Sequence, residues 1–191
     1  MSGFIIYIVV SIFTPGPNNI FSSISAGERG FTKTIPFMIG IGLGTTLVFL
    51  SAAFVNNYVL QGSVIYNYIG VIGGLFIVYL GVLMLLGKSI ENRLFDRDYL
   101  VLKAIFLNFI NPKTLLFGLT IAVYYTKMDL PISLLYWFMV LMGILCFVAV
   151  AVWAIFGQIF QVLLKNKKMI YHLIMGILLC YSGALIVIES I

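Results

Sequence analysis

Charge is what this sequence has least of. Of its 191 residues only 9% are Asp, Glu, Lys or Arg, against about 25% in soluble globular domains. Hydrophobic residues make up 62%, and the mean hydropathy is +1.15. That balance excludes an ordinary water-soluble fold; the chain reads as an integral membrane protein with the lipid bilayer as its surround. Cysteine is nearly absent as well. Cys146 and Cys180 both fall in apolar runs and match no metal or redox spacing, so both are expected to pack. The single histidine, His172, sits beside Lys167 and Lys168 at a predicted membrane edge, where an interfacial role is expected. Acids are equally sparse, and the sole acid read within or near a span, Glu189, stands at its extreme end. No constellation of nucleophile, base and acid is visible, so neither enzyme chemistry nor a cofactor or metal site is expected. The net charge of +5 does not call for nucleic acid, because the basic residues sit in short segments between apolar runs rather than along one face.

A membrane-crossing helix needs about 20 apolar residues. Six stretches qualify, at residues 3–27, 34–55, 64–87, 104–125, 132–156 and 169–188. The first contains "FIIYIVVSIF", which has the length of a secretory h-region. It lacks a basic n-region, and the apolar character resumes after a break, so it is expected to be retained. One polytopic domain over 1–191 is expected, its halves at about 1–87 and 101–191 joined by a charged segment, 88–100. Basic residues concentrate in cytoplasmic loops. Here Arg29 and Lys33 lie in the first loop, Lys88, Arg93, Arg97 and Lys103 in the third, and Lys165, Lys167 and Lys168 in the fifth; the other loops hold only Lys127. Both termini are therefore expected outside the cytoplasm. Tyr124, Tyr125, Tyr136 and Trp137 surround the fourth loop, as an outer aromatic belt would.

The third and sixth spans resemble each other. "GLFIVYLGVL" from Gly74 and "GILLCYSGAL" from Gly176 share a G-x-x-x-x-Y-x-G pattern that aligns Tyr79 with Tyr181. Small residues also recur simply because they let helices approach, which is the competing explanation. "GIGLG", Gly40 to Gly44, is read in that way, as a smooth packing face. A shared interruption strengthens the repeat: "FTPGPNNI" breaks the first span and "FLNFINPKTLLFG" the fourth. Three spans per half is an odd number, so a duplicated half inserts upside down. The expected fold is an all-α membrane protein of six transmembrane helices in two inverted three-helix repeats, with broken first and fourth helices, a build of secondary transporters.

In a helix interior Pro costs about 3 and Gly about 1 kcal/mol, so Pro15, Gly16 and Pro17 need a reason. At about 1.5 Å per residue, Asn18 and Lys113 each lie roughly 15 Å from the cytoplasmic end of their span, near the midplane. Backbone groups freed there are tolerable only inside protein or against a wet cavity. The helix that restarts at Pro17 turns its amides and positive dipole end toward that cavity, which suits a carboxylate. Lys113, an intramembrane cation, is a functional candidate on the same grounds; the alternative is that it snorkels or satisfies carbonyls freed by Pro112. The candidate substrate-binding residues are thus Thr14, Pro15, Gly16, Pro17, Asn18 and Asn19 at the first break and Asn108, Asn111, Pro112 and Lys113 at the second. Tyr79 and Tyr181 either line the cavity through their hydroxyls or merely pack.

Taken together, "FTPGPNN", the Gly-rich second span, the Y-x-G third span, the charged central loop and "NFINPK" resemble the LysE/RhtB family of amino-acid exporters over essentially the whole chain. "TPGPNNI", "LNFINPKTLLFGLT" and "GQIFQVLL" are most similar to its cysteine/O-acetylserine branch. The resemblance implies export of small neutral amino acids or derivatives, with homoserine, threonine and leucine as other substrates, driven by the proton gradient. It matches Thr14 to Asn18 and Asn111 to Lys113 to the family's two motifs. Many members carry an acid after the glycine of the second span, where this chain has Gly44 followed by Thr45; the usual carboxylate proton carrier is missing. A homo-oligomer is neither required nor forbidden by the sequence.

Overall fold

The computed structural model describes residues 2–58, 65–86, 99–126, 131–163 and 168–189. The described residues form eight α-helices: α1 (Ser2–Phe13), α2 (Pro17–Arg29), α3 (Phe31–Tyr58), α4 (Ile65–Leu85), α5 (Leu100–Ile110), α6 (Pro112–Thr126), α7 (Ile132–Leu163) and α8 (Lys168–Glu189). Their order repeats: two short helices in tandem, a long helix, then one of intermediate length, first in α1 to α4 and again in α5 to α8.

Both predicted breaks are present, each made by proline. At the first, Thr14 N still closes a helical bond to Val10 O (2.8 Å), Gly16 is extended (φ −147°, ψ 168°), and Pro17 opens α2 at a position where its missing N–H is no loss. At the second, the ring of Pro112 forces Asn111 out of the helical region (φ −84°, ψ 104°), and α5 and α6 meet at 63°. Between α2 and α3 the chain reverses through one residue, Gly30, whose φ of +87° strains any side chain and whose N–H caps Ala26 O at 2.9 Å.

Three segments are long and apolar enough to cross a membrane: Phe4–Arg29, Phe31–Val55 and Ile132–Leu163. The bent pair Leu100–Ile110 and Pro112–Tyr125 adds a fourth. Within α4 and α8 the apolar stretches among the described residues, Gly74–Leu85 and His172–Ile188, are shorter. Length and composition thus give four spans among the described residues, where six were expected.

Glycine sets the helix pairing. On α4 and α8, Gly74 meets Gly183 O and Gly81 meets Gly176 O so closely that a Cβ would sit 2.9 to 3.0 Å from those carbonyls. On α3 and α7, Gly42 faces Phe147 while Gly143 faces Thr46. In each pair the contact runs antiparallel and exchanges matching positions. Gly40 and Gly44 do form a packing face: α5 lies on them with Val101, Ala104, Ile105 and Asn108. The "GxxxxYxG" tyrosines point the other way, Tyr79 being 52% and Tyr181 57% exposed.

Two apolar clusters fill the interior. One gathers Ile20, Phe21, Ile24, Phe37, Met38, Ile41, Ala104 and Val150 with α4 and α8; the other gathers Ile12, Phe49, Phe117, Ile121, Leu135 and Met139. Both breaks fall at their junction. Glu28 lies in the last turn of α2 with Oε1 3.0 Å from His172 Nε2, so His172 ties α8 to α2.

Candidate functional site

A cavity of about 40 Å³ opens at this junction. Gly16, Pro17, Asn18 and Asn19 line it from the first break, Asn111, Lys113 and Thr114 from the second, and Ile41, Thr45, Phe49, Cys146 and Val150 from the long helices. Proline made the breaks, but asparagine holds them together. Asn108, fully buried on α5, is the hub. Its Oδ1 accepts from Asn18 Nδ2 (2.7 Å) and Thr45 Oγ1 (2.9 Å), and its Nδ2 donates to Ile41 O (3.3 Å) and Ala104 O (2.9 Å). Asn111 Nδ2 donates to Asn18 Oδ1 (3.0 Å), while Asn111 Oδ1 accepts from Lys113 N (3.1 Å) and so caps α6. Broken backbone at membrane depth requires such internal satisfaction.

Lys113 reaches away from its own helix. Its Nζ donates to Thr14 O (3.1 Å) and Thr14 Oγ1 (2.8 Å), putting a cation on the negative C-terminal end of α1. Gly16 makes the path: a Cβ there would lie 2.8 Å from Lys113 Cδ and 2.9 Å from Nζ. Asn19 Nδ2 holds two further carbonyls of the break, Ile12 O (2.9 Å) and Thr14 O (3.0 Å), and Trp153 Nε1 donates to Phe13 O (3.2 Å). The start of α2 is different. Gly16 provides no side-chain cap, so the first-turn amides of Asn18 and Asn19 stand at an uncapped helix N-terminus beside the cavity.

The structure thus brings Thr14 to Asn19, Asn108 and Asn111 to Lys113 into one region; Pro15 and Pro112 serve by bending the chain. Tyr79 and Tyr181 are elsewhere, on the exposed side of the α4–α8 pair, and do not line this cavity. Thr45, Thr114, Phe49, Phe117 and Ser11 were missed as lining residues. For the hydroxyls a signal existed, since a polar side chain in mid-span is itself a clue; the two phenylalanines carried none. Cys146, expected only to pack, lines the cavity, whereas Cys180 packs on Gly81.

The cavity lies within a helical body whose segments include three, or four with the bent pair, long and apolar enough to cross a membrane. In class, the protein is a multi-pass membrane transporter. The family model for the LysE type translocator matches residues 9–190, and the chain belongs to that family. It is also 24% identical over 185 residues to the cysteine/O-acetylserine efflux proteins of Escherichia coli strain K12 and of Shigella flexneri serotype 5b, covering 96% of this chain and 95% of theirs. No solved structure matches it significantly.

Proposed function

We propose that this translocator is a secondary exporter of small neutral amino acids or their derivatives across the cytoplasmic membrane, with cysteine- and O-acetylserine-like molecules favoured over homoserine, threonine or leucine. The observation that carries the reading is the meeting of the Lys113 ammonium and the uncapped N-terminus of α2 at one small cavity. Both attract a carboxylate, and the apolar wall of Ile41, Phe49, Phe117 and Val150 suits a short uncharged side chain. The efflux named for the relatives points the same way.

The same reading takes the fold as six spans in two inverted halves, with α1–α2 and α5–α6 each one broken span and both termini outside. The repeated element order and the exchanged glycine contacts support it. Protons are the coupling ion we favour. The proton gradient is what the resemblance to the family implies, and Thr45, which donates to Asn108, stands where that resemblance leads one to expect an acid. Self-association is compatible with this reading.

Counterflow in proteoliposomes is the test. Labelled O-acetyl-L-serine should accumulate transiently against unlabelled substrate and saturate. Flux that rises linearly with concentration and shows no counterflow would mark a channel, and no flux at all a non-transporting scaffold.

A further inference from the structure

The cavity has a polar end and an aromatic end, and the helix directions fix how a bound molecule lies between them. The chain reverses at Gly30, Ser25 Oγ meets Thr34 Oγ1 (3.0 Å), and Asn18 and Thr45 meet at Asn108 Oδ1, so α2 runs antiparallel to α3. The first-turn amides of α2 point back along their own helix, which is the way α3 runs, from Thr45 toward Phe49. The second broken span runs parallel to α3, since Asn108 lies on Gly44 while Gly118 lies on Phe49 and Ala52. On α6, Phe117 stands one turn beyond Lys113, about 5.4 Å along the axis and on the same face. A carboxylate held by the α2 amides and Lys113 thus has Phe49 and Phe117 ahead of it. Ile41 lies behind it, one turn before Thr45, and so does Val150, whose carbonyl accepts from Ser22 Oγ of α2 (2.9 Å). The two rings ahead meet edge to face, 5.5 Å apart between centres and at 74°. Both are buried. Tyr7 of α1 backs Phe117 at 5.8 Å, and a Cβ on Gly118 would lie 2.7 Å from Phe49 Cδ1, so neighbours hold each ring in place.

We propose that Phe49 and Phe117 set the upper size of the side chain this translocator accepts. The α-carboxylate docks at the start of α2 and at Lys113, and the side chain is directed at the two rings, which leave room for a short chain and exclude a bulky one. The proposal rests on the export reading above and assigns its selectivity to these two residues. A single methylene too many or too few in an apolar pocket already changes discrimination by about tenfold or more, and a benzyl side chain exceeds that mismatch.

Moving a ring from the wall to the ligand tests this. Unlabelled L-phenylalanine competes against counterflow of labelled O-acetyl-L-serine in proteoliposomes of wild type, Phe117→Ala, Phe49→Ala and Val150→Ala, with Phe117→Leu and Phe49→Leu as milder variants. Calorimetric titration of L-phenylalanine into the purified proteins gives the same comparison independently of transport. L-phenylalanine should act on Phe117→Ala and Phe49→Ala at least about tenfold more strongly than on wild type, because its ring enters the space of the deleted one, and the leucine variants should fall between. Val150→Ala, at the other end of the cavity, should stay within about twofold of wild type. If L-phenylalanine acts on wild type as strongly as on the phenylalanine variants, or gains equally in Val150→Ala, the proposal is overturned, and O-acetyl-L-serine counterflow in the same wild-type vesicles leaves the export reading standing. Wild-type vesicles without O-acetyl-L-serine counterflow would overturn the export reading and this proposal with it.

Discussion

Asn108→Ala removes the side chain through which both breaks are fastened to α3, and its cost follows from the four bonds at stake. At about 1 to 3 kcal/mol for each group left unsatisfied, the loss would reach about 4 to 12 kcal/mol. Interhelical hydrogen bonds inside membranes average only about 0.6 kcal/mol, however, and two of the four partners have a way out. Ala104 O keeps its own helical donor one turn on. Thr45, one turn beyond Ile41, can donate to Ile41 O once Asn108 vacates it. The group that loses most is Asn18 Nδ2, left with a 3.4 Å contact to Thr114 Oγ1. The net expectation is a loss of about 2 kcal/mol, read as a fall of about 4 to 8 °C in the melting temperature of a chain this size. Far-UV circular dichroism of the detergent-purified protein measures it, and counterflow measured in parallel should weaken. Asn108→Ala combined with Thr45→Ala should cost less than the two separate losses, because both report on one bond. A melting temperature within about 1 °C of wild type, with counterflow intact, would refute the asparagine latch.

Gly16→Ala should insert normally yet raise the apparent KM for counterflow about tenfold, because the new Cβ displaces the lysine stem 2.8 Å away; an unchanged KM would mean that the Lys113 path over Gly16 is unimportant. Gly44→Val should lower stability by about 2 kcal/mol or more, since even a Cβ would lie 2.8 Å from the Ile105 backbone and hold α5 off α3; wild-type melting would contradict that packing. For topology, single cysteines at positions 30 and 60 of a cysteine-free background should react from the cytoplasmic and external sides respectively. The reverse pattern would end the orientation argument, and labelling of both from one side would end the span count.

The breaks were legible in the sequence because Pro and Gly act locally: Pro17 and Pro112 bend the chain where they stand, whatever packs around them. The role of asparagine was only half legible. An Asn at a mid-span break announces a polar need, but the partner can be ligand or protein. Asn18 and Asn108, 90 residues apart, turn out to answer each other. Lys113 was found by its charge alone, whereas its direction depends on Gly16, a residue that reads as a breaker and acts as a groove. Tyr79 and Tyr181 illustrate the opposite case. Their shared motif marks glycines that face the partner helix, and the tyrosines, on the far side of the helix from those glycines, are left exposed. Phe49 and Phe117, 5.5 Å apart between ring centres, close the cavity from α3 and α6; nothing distinguishes them in the sequence from the other 14 phenylalanines.

The central claim is that substrate sits in the cavity where Lys113 meets the start of α2, and native Cys146 reports on it directly because it lines that cavity and Cys180 does not. In a Cys180→Ala protein, the rate at which a small thiol reagent modifies Cys146 is measured with and without saturating O-acetyl-L-serine. The account predicts strong protection of Cys146 in the presence of substrate, and loss of that protection in Lys113→Met. An unchanged labelling rate at a substrate concentration that saturates counterflow would contradict it, because the substrate would then be crossing by a path that this cavity does not form.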